Sequence, residues 1–322
     1  MPRLCPRHGA RQGRAPGAMF GRHRPWGLPT LPARAPLRLG TSFPVSHNRN
    51  LPKQDLLARM QGMKIFCVGD IVGQPGRRIF KSVVANLKAK GEIQAVVVNG
   101  ENAAAGRGIT GPLADELFDA GADAITLGDH TWDQKEAVNL LANDRRVVRP
   151  ANFGAGCPGR GWTEVQTPVG AFVVLNLIGR TFLNPADNPF ETADTLLKGP
   201  IPRDKPVIVD IHAEATSEKI ALGRFLDGRV SAVFGTHTHV PTADAKILPN
   251  GTGYITDVGM CGPENSVLGR CVEPILKRFM TGMPTKFDIA PGPAILGGCI
   301  FDIDKATRRC TAVVPVQVRE EA

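Results

Sequence analysis

Five short β-forming runs in this chain each end in a side chain that can bind a metal ion. Residues 65–69 lead into Asp70, and residues 96–100 lead into Glu101 and Asn102. Residues 124–127 precede Gly128-Asp129-His130, residues 207–211 precede His212, and residues 231–234 precede Gly235-Thr236-His237-Thr238-His239. Together these groups hold all four histidines found after residue 62. In open α/β folds, ligands bind just beyond the carboxyl ends of the strands. A chain that places acids, an amide and imidazoles at five such ends must gather those ends on one side of a sheet.

The elements between these groups fit that requirement. A helix is predicted from about Pro75, with Ile79, Phe80, Val83, Val84 and Leu87 on one face. Others are predicted over 112–120, stopped by Gly121, and over 134–141. Later strands are expected at 172–177, 207–211, 231–234, 253–256, 295–303 and 311–318. Alternation of strand and helix implies right-handed crossovers and parallel strands in the first half. The strand-rich second half implies a mixed or second sheet. At 322 residues the chain can form one large α/β domain or two small ones.

Charge has to be read by segment. Of 39 Lys/Arg and 30 Asp/Glu, residues 1–62 hold 11 bases and one acid, leaving 28 bases and 29 acids in the remainder. The overall +9 is therefore no argument for nucleic-acid binding by the body. Residues 1–62 also carry nine prolines and no periodic apolar face, so they are expected to be a disordered Arg/Pro-rich extension. A start codon placed too far upstream accounts for this segment better than a functional tail, because Met63 opens directly into a strand. No apolar run approaches the ~20 residues that span a bilayer, so no membrane role is expected. The seven cysteines lack C-x-x-C spacing, which points to free thiols in a reducing, cytoplasmic compartment.

The individual groups suit a two-metal site. In an extended segment, residues i and i+2 face one side, so His237 and His239 can both reach a metal cluster. Asp70 and Glu101 are hard oxygen ligands. Two cations about 3.5–4 Å apart call for a bridging carboxylate, and Glu101 is the candidate. Alone, Asp70 could cap the helix near Pro75 and Asn102 could be turn chemistry. Asp129 is a further ligand, and His130, off the metals, is a candidate proton donor that Asp133 could orient. His212 follows an apolar strand, where a neutral, metal-bound imidazole is a sensible occupant. Arg107 and Arg180 could clamp a phosphate, or simply be solvated.

With these residues in hand, the chain resembles the calcineurin-like metallophosphoesterases, specifically the YmdB-type bacterial family. The matching segments are Gly69-Asp70-Ile71-Val72-Gly73, Asn99-Gly100-Glu101-Asn102-Ala103, Gly128-Asp129-His130-Thr131-Trp132-Asp133, Arg149-Pro150-Ala151-Asn152-Phe153, the stretch from His212 to Lys219, Gly235-Thr236-His237-Thr238-His239 and Thr256-Asp257-Val258-Gly259-Met260. They span 63–322 and leave 1–62 unmatched. The resemblance implies a single domain over 63–322 with a four-layer α/β/β/α sandwich of mixed sheets. It also implies hydrolysis of phosphodiesters such as 2′,3′-cyclic nucleotides at a dinuclear centre of iron or manganese. One metal would take Asp70, Glu101, Asn102 and His239, and the other Glu101, Asp129, His212 and His237, with His130 as proton donor.

In that scheme a hydroxide bridging the metals attacks phosphorus and His130 protonates the leaving oxygen. Two departures from the wider pattern stand out. Val72 occupies the position of a histidine ligand, and Asp129 replaces an asparagine. The rival readings are a regulatory protein that keeps the site but signals through a partner, and an RNA-associated protein using the arginine-rich segment. A homo-oligomer is compatible with either.

Overall fold

Alternate residues of the first strand enter different cores. The computed structural model describes residues 62–321, so the expectation for 1–62 lies, Gly62 apart, outside the described residues. In β1 (Gly62–Val68), Phe66 and Val68 pack with Ile79, Phe80, Val83 and Val84 of helix α1 (Gly73–Ala89). Ile65 and Cys67 point the other way, toward Phe172, Val174, Ile208 and Phe234. Successive strand residues face opposite sides, so a strand apolar at every position belongs between two layers.

The strands form two mixed sheets, and β1 lies in the first, between α1 and the second. The eight-stranded sheet runs β2 (Asp70–Ile71), β12 (Met260–Pro263), β13 (Ala294–Asp304), β1, β3 (Ala95–Asn99), β4 (Ala124–Thr126), β5 (Val147–Val148), with β14 (Cys310–Arg319) also pairing β13. β1, β3, β4 and β5 are parallel, whereas β13 is antiparallel to β1, β12 and β14. The six-stranded sheet runs β10 (Lys246–Ile247), β11 (Gly253–Ile255), β9 (Ala232–Thr236), β8 (Val207–His212), β7 (Gly170–Ile178), β6 (Trp162–Thr167). Its four inner strands are parallel and its two edges antiparallel.

Helices cover both outer faces. α1, α2 (Gly111–Asp119) and α3 (Ala137–Asn143) pack on the first sheet. α4 (Pro189–Lys198) and α5 (Thr216–Leu226) send Ala193, Leu222 and Leu226 onto Val173, Leu175, Leu177 and Val209 of the second. The expected four-layer α/β/β/α sandwich with mixed sheets is thus present. A further helix, α6 (Val272–Thr281), buries only Ile275. Among the described residues no helix is long and apolar enough to cross a membrane.

Two local expectations change. Asp70 caps no helix: it lies in β2, and Val72 stands at the N-cap of α1 without a side-chain bond. α3 starts at Ala137 rather than 134; the residues before it form a turn in which the Ala137 amide donates to the Gln134 carbonyl at 3.0 Å.

Candidate metal centre

Parallel pairing brings the polar groups to one edge. Asn99 at the end of β3 is level with Thr126 of β4, and His212 at the end of β8 is level with Thr236 of β9. The chain just past each strand therefore carries Glu101–Asn102, Asp129–His130, His212 and His237–His239 to the same rim. One ligand atom from each of Glu101, Asp129, His212 and His237 lies within 4.8 Å of the others. His212 Nε2 is 3.1 Å from Glu101 Oε1 and 2.9 Å from Asp129 Oδ1. His237 Nδ1 is 3.2 Å from the same Asp129 oxygen.

A second group adjoins the first through Glu101. The Asn102 amide sits 3.3 Å from Glu101 Oε1, 3.4 Å from Asp70 Oδ1 and 3.3 Å from His239 Nε2. His239 Nε2 is 3.7 Å from Asp70 Oδ1. Amide nitrogen and oxygen are exchangeable by a flip of the side chain, so Asn102 can turn a carbonyl oxygen toward this group. Glu101 Oε1 thus faces both groups.

Three buried or half-buried carboxylates converging with three imidazoles call for positive charge at their centre. Burial opposes ionisation of His212, yet Glu101 and Asp129 beside it hold its imidazolium well above the ordinary range. Burial likewise opposes the Asp129 carboxylate, but hydrogen bonds from His212 and His237 outweigh it and drive the carboxyl far below its ordinary value. Protons here do what a cation would do. The donor set, carboxylate and amide oxygen with imidazole nitrogen, suits divalent transition metals.

The two histidines of the H-x-H segment do not sit in extended chain. β9 ends at Thr236, and His237 and His239 have φ of 96° and 63°, a region rarely adopted by non-glycine residues. The expectation that both rings face one side is therefore corrected: His237 turns to the Glu101–Asp129–His212 group, and His239 to Asp70 and Asn102. The turn is held from behind. Lys219 of α5, fully buried, donates to Asp257 Oδ2 at 2.6 Å and to the Thr236 carbonyl at 2.7 Å. Asp257 Oδ2 also accepts from the Thr238 hydroxyl at 2.8 Å, and Asp257 Oδ1 from the Gly259 amide. Thr238 is the residue between the two left-handed histidines. In front, the His237 amide donates to Asp70 Oδ2 at 3.1 Å.

A further relay fixes His212. Its Nδ1 is 2.9 Å from the Thr236 hydroxyl, which in turn donates to Asp210 Oδ1 at 2.8 Å. A hydroxyl has one proton; given to Asp210, it leaves the oxygen to accept from His212 Nδ1–H. Nε2 donates to the Glu101 and Asp129 carboxylates, and a cation taking the place of that proton would find the Nε2 lone pair already directed at it. Asp210 Oδ2 accepts from Thr126 of the other sheet at 2.5 Å. Burial raises the Asp210 carboxyl to about 7, against the hydrogen bonds it accepts.

His130 stands at the rim. Its amide donates to Glu101 Oε2 at 3.0 Å, and its Nδ1 is 3.1 Å from Asp133 Oδ2. Asp133 also meets Arg107 Nε at 3.3 Å, so Arg107 reaches the site only through Asp133. Arg180 lies apart, its amide bonded to Glu218. Three groups escape a residue-by-residue reading of the sequence. Lys219 and Asp257 act across the fold, and Glu214, 3.1 Å from His237 Nε2, is an exposed acid.

Similarity to known proteins agrees with this geometry. A family model described as "YmdB-like protein" matches residues 66–316. The chain is 48% identical over 259 residues to a Bacillus subtilis (strain 168) protein named 2′,3′-cyclic-nucleotide 2′-phosphodiesterase, covering 80% of this chain and 98% of that one. A crystal structure of a hypothetical protein from Thermus thermophilus superposes with a TM-score of 0.76 at 41% identity, covering 80% of this chain and all of the other. A Mycoplasma pneumoniae structure titled as a novel phosphatase gives 0.76 at 36% identity, covering 81% and 94%.

Proposed function

The chain belongs to the YmdB-like protein family, and from that premise we propose that it is a metal-dependent phosphodiesterase acting on small phosphodiesters such as 2′,3′-cyclic nucleotides. The observation that carries this reading is the convergence of Glu101, Asp129, His212 and His237 within 4.8 Å beside Asp70, Asn102 and His239. Asp70, Glu101, Asn102 and His239 would hold one cation, and Glu101, Asp129, His212 and His237 the second. Glu101, whose Oε1 faces both sets, would be the residue they share. Iron is the favoured metal and manganese the alternative, because three carboxylates tolerate a high cation charge. When bound, the two ions supply Lewis-acid polarisation of the phosphoryl group and activation of water.

The protein's own part is positioning and proton transfer. His130, oriented by Asp133, gives a proton to the ribose 2′-oxygen as its bond to phosphorus breaks, and the oxygen of water forms the new bond. The product is a nucleoside 3′-phosphate. Asp210 and Thr236 keep the His212 lone pair on Nε2. We take residues 63–322 as the catalytic unit and the cytoplasm as its compartment.

The test is turnover of bis(p-nitrophenyl) phosphate and of a 2′,3′-cyclic nucleotide panel by the purified protein, with its metal content measured. Turnover lost on chelation, restored by iron or manganese, and lost again in His130→Ala is expected. A metal-loaded protein with no turnover on any of these would leave a binding role instead. A chain starting at Met63 should be as active as the full one.

A further inference from the structure

Two of the strands that end at the metal centre, β8 and β9, begin at a second, cationic cavity. β8 starts at Val207 and ends at His212, roughly 17 Å along the strand at ~3.3 Å per residue. Beside Val207 opens a cavity of about 490 Å³ into which Lys198, Arg203, Lys205, Arg229, Arg308 and Arg309 converge, with no Asp or Glu in its wall. The surrounding body is close to neutral, with 28 bases and 29 acids beyond residue 62, so this concentration is local.

Two acids outside the wall meet three of the six cations. Asp194 is 2.7 Å from both Lys198 and Arg229, and Glu164 is 3.1 Å from Lys205. Asp227 and Asp304 stand behind the wall, but their carboxylates accept from the backbone amides of Asn250 and Thr307. Arg203, Arg308 and Arg309 have no acidic partner among the described residues; Arg203 donates only to the Lys198 carbonyl.

Arg308 and Arg309 are exposed, but the backbone of the β13–β14 turn that carries them is fixed. Arg308 takes a left-handed φ of 59° where glycine or asparagine is usual, and its amide donates to the Asp304 carbonyl at 2.7 Å. The Arg309 stem lies across Gly251: a Cβ on that glycine would meet Arg309 Cδ at 2.9 Å. The Cys310 amide fixes the same contact by donating to the Gly251 carbonyl at 2.9 Å. Guanidinium forks pair with phosphate oxygens through two parallel hydrogen bonds. The volume falls in the ~300–1,000 Å³ range of small-ligand pockets.

We propose that this cavity is a second binding site, separate from the metal centre, for a phosphate-bearing anion of nucleotide size. Isothermal titration of inorganic pyrophosphate and of AMP into the metal-loaded full chain would test it, alongside R203E/R308E/R309E and His237→Ala. The charge-reversed variant should bind at least ~10-fold more weakly at this site while hydrolysing bis(p-nitrophenyl) phosphate at the wild-type rate. His237→Ala should retain the site, and R308Q/R309Q, which removes charge without reversing it, should give an intermediate loss. Equal binding by wild type and R203E/R308E/R309E would overturn the proposal, as would binding that vanishes only with His237. A single-stranded RNA 10-mer that depends on these arginines where neither pyrophosphate nor AMP binds would overturn the small-ligand reading in favour of RNA.

Discussion

Lys219 and Asp257 form an ion pair at 2.6 Å with neither side chain in contact with solvent, directly behind the two histidines of the H-x-H turn. Breaking a buried pair by removing one partner leaves an uncompensated charge and costs about 3–5 kcal/mol. Lys219→Met should therefore lower the unfolding free energy obtained from urea titration by that order. It should also release Thr238, whose hydroxyl shares the Asp257 oxygen, and with it the strained φ of His237 and His239. The double variant Lys219→Met/Asp257→Asn should recover part of the stability, since no unpaired charge is left. If metal content in both is unchanged from wild type, the pair does not position the ligands.

Ligands and proton donor should separate under mutation. His237→Ala and His239→Ala each remove a nitrogen from one of the two groups, so metal content and turnover should fall together. The His130 ring nitrogen Nδ1 is 3.9 Å from Asp129 Oδ2, beyond hydrogen-bond distance of that proposed ligand. His130→Ala should keep most of the metal while losing on the order of 10²–10⁴-fold in turnover, the usual worth of a positioned acid. Asp133→Asn, which keeps an oxygen 3.1 Å from Nδ1 but loses its charge, should cost less. Metal analysis beside initial rates decides this: an empty site in His130→Ala would make it a ligand.

The candidate site is legible because its proposed ligands follow directly on strands whose apolar runs are unmistakable, and five such junctions gather at one rim in an α/β fold. What supports it is not. Lys219 reads as an ordinary surface lysine on a helix, and only the packing of α5 on β9 turns it inward to Asp257, 38 residues away. Asp210 looks like a polar interruption of β8 until Thr126 of the other sheet is brought to it. The expected H-x-H geometry fails for the same reason: strand propensity does not say where a strand stops, and β9 stops one residue short of His237. β12, Met260–Pro263, contains Gly and Pro and reads as a loop, yet pairing with β2 and β13 makes it a buried strand. Helix α4 is not among the elements expected from the sequence, although Asn188 caps it, its side chain accepting from the Phe190 amide.

Acid should loosen the segment after the H-x-H turn. Burial pushes the Asp244 carboxyl up, but hydrogen bonds from Thr256 and Thr242 prevail and hold it below the ordinary 3.8. The Thr256 hydroxyl lies 2.6 Å and the Thr242 hydroxyl 2.7 Å from it. With the folded value depressed, this stabilisation is present above pH 3.8 and is lost as pH falls through the folded value. The stability gap between wild type and Asp244→Asn should thus be widest near neutrality and shrink below about pH 4. Urea unfolding of both proteins from pH 3 to 6 measures it; a gap constant over that range would mean that the carboxylate charge plays no part.

Asp129 stands where the metallophosphoesterase pattern that the chain resembles would have a neutral amide. Its Oδ1 lies 2.9 Å from His212 Nε2 and 3.2 Å from His237 Nδ1, where it would ligate one cation. A carboxylate would add a full negative charge beside the two proposed divalent ions, which Asp70 and Glu101 alone would leave short of neutral. In a partly desolvated site that charge strengthens metal binding and favours a trivalent ion. Asp129→Asn preserves an oxygen at the same place and removes only the charge. It should retain turnover but lose metal to EDTA about 10-fold faster, the equivalent of ~1.4 kcal/mol. It should also shift the metal found in the purified protein from iron toward manganese. Elemental analysis through a chelator time course, run on both proteins, gives the answer without reference to rate. Identical retention would mean that Asp129 does not bind metal as an anion, and that the amide and the acid are interchangeable at this position.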